Sequence, residues 1–287
     1  MPEPLISIII PAYNEEQRIG ETLARNLRYL ELQKWDWEMI VVSDGSRDKT
    51  VEVVNSFAAR SPRVKVLVNA ENRGKGAAVR QGMLAAGGEL RLFMDADNST
   101  PIEELDKLLV FIKKRTEDLS EVSGVYDLVI GSLSAPGAQI DKRQFFARVL
   151  AGWVGNVLIR LLVLPGIYDT QRGFKLFTAK AAEAIFPKLK IKRWGFDIEV
   201  LALARRLGFF IKEVPVRWSH DPLSEVRPWA YAQVLWELLR IRWWLWTNAY
   251  GIGKMTHAEY CRNLIPNGGK VLDVGAGRGK FACEMAQ

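Results

Sequence analysis

Four short runs of apolar, largely β-branched residues recur in the first third of the chain, at residues 6–10, 37–43, 64–68 and 90–94. Each ends in turn chemistry and is followed by a stretch of helical character, at residues 15–32, 49–60, up to 86, and 103–116. Strands separated by helices cannot close as hairpins; they return through crossovers, which makes them parallel neighbours with helices packed on both faces. The runs are almost continuously apolar rather than alternating, as expected of strands covered on both sides. Beyond residue 120 the pattern loosens into a strand at 128–132, a basic and apolar helix at 142–163, a polar loop at 169–175 leading into Leu176 and Phe177, a helix at 196–207 and a strand at 209–216. The domain should close near residue 220.

In such a sheet, ligands bind outside the carboxyl ends of the strands. Those are the places where this chain puts its polar motifs: Pro11-Ala12-Tyr13-Asn14-Glu15-Glu16, Ser43-Asp44-Gly45-Ser46, Asn72-Arg73-Gly74-Lys75-Gly76 and Asp95-Ala96-Asp97. Carboxylates at i and i+2 share a face at a strand exit. Mg²⁺ or Mn²⁺ held by one or two carboxylates together with ligand phosphates suits that pattern. Taken alone, the pair also fits a helix start, because Ser99-Thr100-Pro101 with Glu103 and Glu104 has capping chemistry. The Pro11 to Glu16 stretch could likewise be a helix cap.

At 287 residues, 48% hydrophobic and 25% charged, the chain has room for one large α/β domain and an attachment. Cys261 and Cys283 fit neither a disulfide framework nor a metal spacing, and His220 and His257 are the remaining soft ligands, so zinc is not expected and a reduced compartment is. The first strand pattern begins at once, leaving no space for an export signal. The net charge of +7 is uneven: residues 1–140 are acidic on balance and 141–254 strongly basic. An anionic partner is implied, and nucleic acid, acidic headgroups and a phosphorylated substrate all qualify by sign.

Residues 149–159 are uncharged, too few to span a bilayer. Within 228–250, Trp229, Trp236, Trp243 and Tyr250 recur every seventh residue, with Leu239 and Trp246 close by and Arg240 and Arg242 on the same helix. The stripe would pack onto the domain or a second subunit, giving a homo-oligomer, or lie in a lipid headgroup layer. Finally, Asp273-Val274-Gly275-Ala276-Gly277-Arg278-Gly279 reads as strand, Gly-rich turn and helix, a motif that lets backbone approach a ligand closely. It resembles the first motif of S-adenosylmethionine-dependent methyltransferases, a segment too short for the whole domain. The expected division is 1–227, 228–253 and 254–287, the last a fused methyltransferase-like beginning.

Taken in order, the strand-end motifs resemble those of the family 2 glycosyltransferases of GT-A fold. Asp169-Thr170-Gln171-Arg172-Gly173-Phe174-Lys175, Trp194-Gly195-Phe196-Asp197-Ile198-Glu199 and Glu213-Val214-Pro215-Val216-Arg217-Trp218 narrow the resemblance to the dolichyl-phosphate β-glucosyltransferase and dolichol-phosphate mannose synthase branch, over residues 5–230. The resemblance implies a Rossmann-like, mostly parallel nucleotide-diphospho-sugar transferase sheet plus a C-terminal amphipathic helix. It implies inverting transfer of a hexose from a nucleotide-sugar, with UDP-glucose favoured over GDP-mannose, to a polyprenyl or dolichyl phosphate, on the cytoplasmic face of a membrane and without nucleic acid. Pro11, Ala12, Tyr13, Asn14, Glu15, Asp44, Gly45, Ser46 and Lys75 would hold the nucleotide. Asp95, Ala96 and Asp97 would meet metal and diphosphate, and Arg143, Asp169, Gln171 and Lys175 the sugar and acceptor end.

Two departures concern charge. The family commonly has Arg after Gly-Ser where Leu133 follows Gly131-Ser132, and Ser-Lys where this chain has Ser224-Glu225, with Arg227 as the nearest substitute. Ser99 stands where mannose synthases tend to carry Gln. A soluble or polysaccharide acceptor would need a base, from Asp197 or Glu199, although both also fit a helix start. A non-catalytic nucleotide-sugar-binding module is the remaining alternative.

Overall fold

The four apolar runs become β1 (Ile6–Ala12), β2 (Trp37–Asp44), β3 (Val64–Asn69) and β4 (Leu90–Met94), joined by α1 (Ile19–Leu30), α2 (Thr50–Ala58) and α3 (Lys75–Ala85). The structure is a computed structural model that describes residues 6–117, 126–140, 146–219 and 229–253. β2 pairs in parallel with β1 and β3, and β1 in parallel with β4, as crossover connections require. α1 starts four residues later than the apolar pattern suggests. The amides of Glu15 and Glu16 are bonded instead to Thr50 Oγ1 (2.7 Å) and Asp48 Oδ2 (3.0 Å), which draws those residues out of the helix and into the neighbouring loop.

After α4 (Leu105–Glu117) come β5 (Leu128–Ser132), the short β6 (Gln139–Ile140), α5 (Phe146–Leu162), β7 (Phe174–Thr178), α6 (Ala179–Ile185), α7 (Phe196–Arg206), β8 (Ile211–Pro215), β9 (Arg217–Trp218) and α8 (Trp229–Trp246). The seven-stranded sheet has the order β3-β2-β1-β4-β7-β5-β8. β7, read from the sequence only as the end of a polar loop, is antiparallel to both β4 and β5. Its start therefore lies at the edge where β4 ends, with Phe174 opposite Met94. The strand expected over 209–216 is β8 in the main sheet, and just beyond it β9, which was not expected, pairs with β6 in a separate two-stranded ribbon. Pro215 has no amide to give the ladder, which explains the step.

Alternate residues of each central strand face two cores. Ile9, Ile40, Val42 and Phe93 join α3, α6 and α7 on one side, while Ile8, Ile10, Met39, Val41 and Leu92 join α1 and α4 on the other. Each such side chain contributes about 1.5–3 kcal/mol by leaving water, and this two-sided burial makes the sheet a rigid platform.

α8 docks on the first of these cores through Leu238, Ile241 and Trp244. Two polar anchors fix its rotation: Glu237 Oε2 accepts the Gly195 amide at 2.7 Å, and the Tyr250 hydroxyl just beyond the helix donates to Glu199 at 2.7 Å. The stripe is therefore split: Tyr250 packs into the core, while its two middle tryptophans stay outside. Trp236 and Trp243 are 62% and 57% exposed, and Leu239 and Trp246 lie open beside them. Adjacent helix positions are roughly 100° apart, so burial of 237 and 238 leaves these two tryptophans on the flank facing out. α5 packs against α8, and among the described residues no helix is long and apolar enough to cross a membrane.

Candidate active site

Five strand ends converge on one edge. Past β1, the loop is stitched to the one past β2: the Asn14 amide donates to Ser46 Oγ (3.2 Å), the Arg47 amide to Asn14 Oδ1 (2.9 Å) and the Lys49 amide to Glu16 Oε2 (2.9 Å). Asn14 takes a positive φ of 54° to make the turn, a conformation Asn tolerates better than most residues. Pro11 and Ala12 are buried supports, whereas Tyr13, next in the chain at the same edge, is 44% exposed. An exposed aromatic on a braced ledge suits a nucleobase.

Asp44 is a loop organiser. Its carboxylate accepts from Asn69 Nδ2 at 3.2 Å, the Arg73 amide at 3.0 Å and the Gly74 amide at 2.7 Å. That uses three of about four acceptor positions on a carboxylate, leaving one for a ligand. Gly74, at φ 101°, starts α3 in a conformation and in a space that a side chain would not fit, the Lys192 carbonyl lying 2.5 Å from where a Cβ would be. The turn aims Lys75 inward, and its Nζ meets Asp95 Oδ1 at 2.6 Å. The ammonium also lies 5.3 Å from the ring centre of Trp194, a 41% exposed aromatic that sequence reasoning did not assign to the site. Burial lowers the Lys75 pKa, but the charges of Asp95 and Asp197 outweigh it and the net shift is upward.

Asp95 and Asp97 occupy the exit of β4, as expected. Ala96 between them is buried, its carbonyl held by Thr22 Oγ1 at 2.7 Å. Asp97 Oδ1 accepts the Ser99 amide at 2.9 Å. Burial and then the Asp95 charge raise the Asp97 pKa, with Ser99 and Lys75 partly offsetting them. Glu15 is raised as well, by burial, against the bidentate pull of Arg18 and with help from Asp97 and Asp95. Three carboxylates thus share one region and repel each other, a cost that a bound cation would relieve. Asn98 adds an αL turn and a buried Oδ1 with no hydrogen-bond partner among the described residues. Among the described residues no group of three or more His, Cys, Asp or Glu ligands forms. The two carboxylates at one strand exit suit Mg²⁺ or Mn²⁺ completed by phosphates and water.

Because β7 runs antiparallel, the loop before it joins the same edge. Asp95 donates its amide to the Gly173 carbonyl at 3.0 Å, and a Cβ on Gly173 would collide with the Asp95 carboxylate, so only glycine permits the approach. Glu213 on β8 accepts the amides of Tyr168 and Asp169, both at 2.9 Å. Asp169 in turn accepts the Leu133 amide (2.9 Å) and Arg172 Nε (3.1 Å) on one oxygen. The Arg172 guanidinium lies 4.7 Å from the Trp218 ring centre, and the next residue, Ser219, bonds through its amide to the Ser99 carbonyl at 2.9 Å. Gln171 is exposed at the mouth of this loop.

Lys175 does not line the crevice. It is 1% exposed and bonded to Asp197 and the Arg172 carbonyl, so its place is beneath the site. Asp197 is its buried counter-ion. Glu199 is likewise consumed, by the amides of Lys190 and Ile191 and by the Tyr250 hydroxyl. Arg143, Arg227, Glu225 and the methyltransferase-like stretch lie outside the described residues. Gly173, Arg172, Trp194 and Glu213 fall in the motifs that carried the family resemblance, but no role in the site was assigned to them from the sequence.

Comparison with known proteins decides what this edge belongs to. A dolichyl-phosphate β-glucosyltransferase of Drosophila melanogaster is 40% identical over 82% of this chain and 74% of its own length. Residues 7–140 also match the family model described as glycosyl transferase family 2. The chain belongs to glycosyl transferase family 2. Human dolichyl-phosphate β-glucosyltransferase is 35% identical to this transferase, covering 87% of it and 78% of the human protein. Among solved structures, glucosyl-3-phosphoglycerate synthase from Mycobacterium tuberculosis in complex with Mn²⁺, UDP-glucose and phosphoglyceric acid superposes with a TM-score of 0.58 at 21% identity, over 83% of this chain and 80% of that one. Its complex with UDP gives 0.57. That likeness supports the GT-A fold for this transferase.

Proposed function

We propose that this glycosyltransferase moves glucose from UDP-glucose to a dolichyl or other polyprenyl phosphate, with inversion, while resting on the cytoplasmic surface of a membrane. The carrying observation is that Asp197 and Glu199, the carboxylates best placed in sequence to act as a base, are both buried and bonded within the fold, Asp197 to Lys175 and Glu199 to two amides and the Tyr250 hydroxyl. A phosphate acceptor needs no base, because with a second pKa of about 6 it is already largely ionised at neutral pH. A sugar hydroxyl would need one. The names carried by the relatives support the same acceptor and donor sugar.

In this reading Tyr13 stacks on the uracil and the loops joined through Asn14 and Ser46 hold the ribose, with the last acceptor position of Asp44 available to the nucleotide. Asp95 and Asp97 would hold a divalent metal, Mg²⁺ or Mn²⁺, whose charge when bound offsets that building on the departing diphosphate. Lys75 adds fixed positive charge beside Asp95. The Asp169 loop, with Gln171, borders the sugar and the incoming phosphate, and positioning for in-line attack is the main contribution of the protein. Arg143 is proposed as a further phosphate contact and Arg227 as a further cation for the diphosphate. The open face of α8, bearing Trp236, Leu239, Trp243 and Arg242, suits insertion at a headgroup layer beside the lipid acceptor.

The test is transfer of labelled glucose from UDP-glucose to polyprenyl phosphate by the wild type and by Asp97→Ala, with Mn²⁺ present. Product from the wild type and its loss in the variant support the assignment. Equal product from both removes the metal role of Asp97, and UDP-glucose binding without transfer by the wild type removes the enzymatic reading.

A further inference from the structure

We propose that Arg172 positions the acceptor's phosphomonoester, held in place for that purpose by Asp169 and Trp218. The cations around the crevice differ in what they have left to give. Lys75 is paired with Asp95 at 2.6 Å, Arg18 is bidentate on Glu15, and Lys175 is buried on Asp197. Arg172 is held through Nε alone, at 3.1 Å from Asp169 Oδ2, and its two terminal nitrogens make no hydrogen bond among the described residues. Its side chain is 29% exposed, open enough to reach a ligand and covered enough that water does not swamp the charge.

The guanidinium is also pre-oriented. Its Cζ lies over the Trp218 ring, 4.7 Å from the ring centre, a cation–π contact that favours this placement. Asp169 is itself immobilised: its oxygen takes the Leu133 amide, its own amide is clamped by Glu213, and it is 6% exposed. A guanidinium fixed by Nε presents its remaining N–H pair as a fork that matches phosphate oxygens. The position suits the acceptor because Arg172 immediately precedes Gly173, which packs on the Asp95 carboxylate, while Trp218 leads into the Ser219 bond to Ser99 next to Asp97. The fork therefore flanks the carboxylate pair from the side opposite the nucleotide loops. It also lies at the end of the loop that follows α5, the helix that packs against α8.

This inference rests on the acceptor assignment above but can fail separately from it. The full chain and its Arg172→Gln and Arg172→Lys variants are compared by three measurements: calorimetric binding of UDP with Mn²⁺, equilibrium binding of farnesyl phosphate against farnesol, and transfer to farnesyl phosphate. Loss of a charge-assisted pair should weaken farnesyl phosphate binding and raise its KM by roughly tenfold or more in the Gln variant. UDP affinity and farnesol binding should stay unchanged, with Lys recovering part of the loss. A merely structural role would disturb phosphate and alcohol alike, and that outcome overturns the proposal. A loss confined to UDP overturns it too, reassigning the fork to the donor diphosphate. Unaltered farnesyl phosphate binding and KM in Arg172→Gln overturn it while leaving the transferase reading intact. Arg172-dependent binding in a wild type that performs no transfer upholds it and sinks the reaction instead.

Discussion

Gly173→Ala should disable the site through a single methyl group. The new Cβ would come under 3.0 Å from Cγ and both oxygens of Asp95, where ordinary contact begins at 3.4 Å. The carboxylate has little freedom to withdraw, since Lys75 holds Oδ1 at 2.6 Å and the Asp95 amide is bonded to the Gly173 carbonyl at 3.0 Å. Either Asp95 swings off Lys75, or the β4 and β7 strand ends part. Overpacking of this kind costs about 1–3 kcal/mol of stability. A displacement of roughly 1 Å in a group that positions reactants costs on the order of 100-fold in rate. The assay is steady-state glucose transfer from UDP-glucose to farnesyl phosphate across a Mn²⁺ titration, with thermal melting beside it. The variant should melt as a folded protein, need more Mn²⁺ and lose most of its kcat/KM. A Gly173→Ala enzyme within about twofold of wild type in kcat/KM, with the same Mn²⁺ dependence, would refute the close-approach argument.

Lys175→Met should destabilise the fold by about 3–5 kcal/mol in chemical denaturation, because it strands the buried Asp197 carboxylate; Lys175→Met with Asp197→Leu should recover most of that loss. Asp97→Asn should raise the melting temperature at neutral pH without metal while abolishing transfer. The sign follows from the raised Asp97 pKa, caused by burial and Asp95: above it the wild type folds with an unfavourable charge, and below the unfolded value of about 3.9 that charge is gone in both states. The stabilising effect of Asn should therefore shrink as the pH falls through that window, and an advantage constant with pH would contradict the electrostatic cause. Trp236→Ala with Trp243→Ala should sharply reduce sedimentation with anionic lipid vesicles and leave the melting temperature within a degree or so, since both rings face outward; a large fall in melting temperature, or a change in oligomeric state with vesicle binding intact, would place the stripe in a protein contact.

The strands and the motifs that follow them were legible because their signal is local. Buried parallel strands write themselves as apolar runs, and Asp95 with Asp97 lie within three residues of each other. Relations between distant segments were not legible. Nothing near Phe174 states that β7 runs against β4, and that direction alone brings Gly173 onto Asp95. Lys175 looked like a site lysine because its polar neighbours are, yet strand alternation turns it inward to Asp197. The α8 stripe has a clean period, but its orientation was decided by Glu237 and Tyr250, whose partners lie 42 and 51 residues away.

The same distinction bears on the two cations that the family resemblance leads one to expect and this sequence lacks. Leu133 looks like a lost positive charge if only its side chain is considered. In the fold its backbone amide does part of the work of a cation, donating to Asp169 at 2.9 Å. Asp169, so satisfied, still accepts Arg172 Nε on the same oxygen and turns the guanidinium against Trp218. A positive charge can thus be delivered to a crevice from a neighbouring loop, provided a buried carboxylate fixes its direction. Counting charged residues motif by motif misses such a substitution, because the motif supplying the charge is not the one that lost it. The shared oxygen of Asp169 makes the two loops one electrostatic unit, so the absence of arginine at 133 is no evidence against turnover.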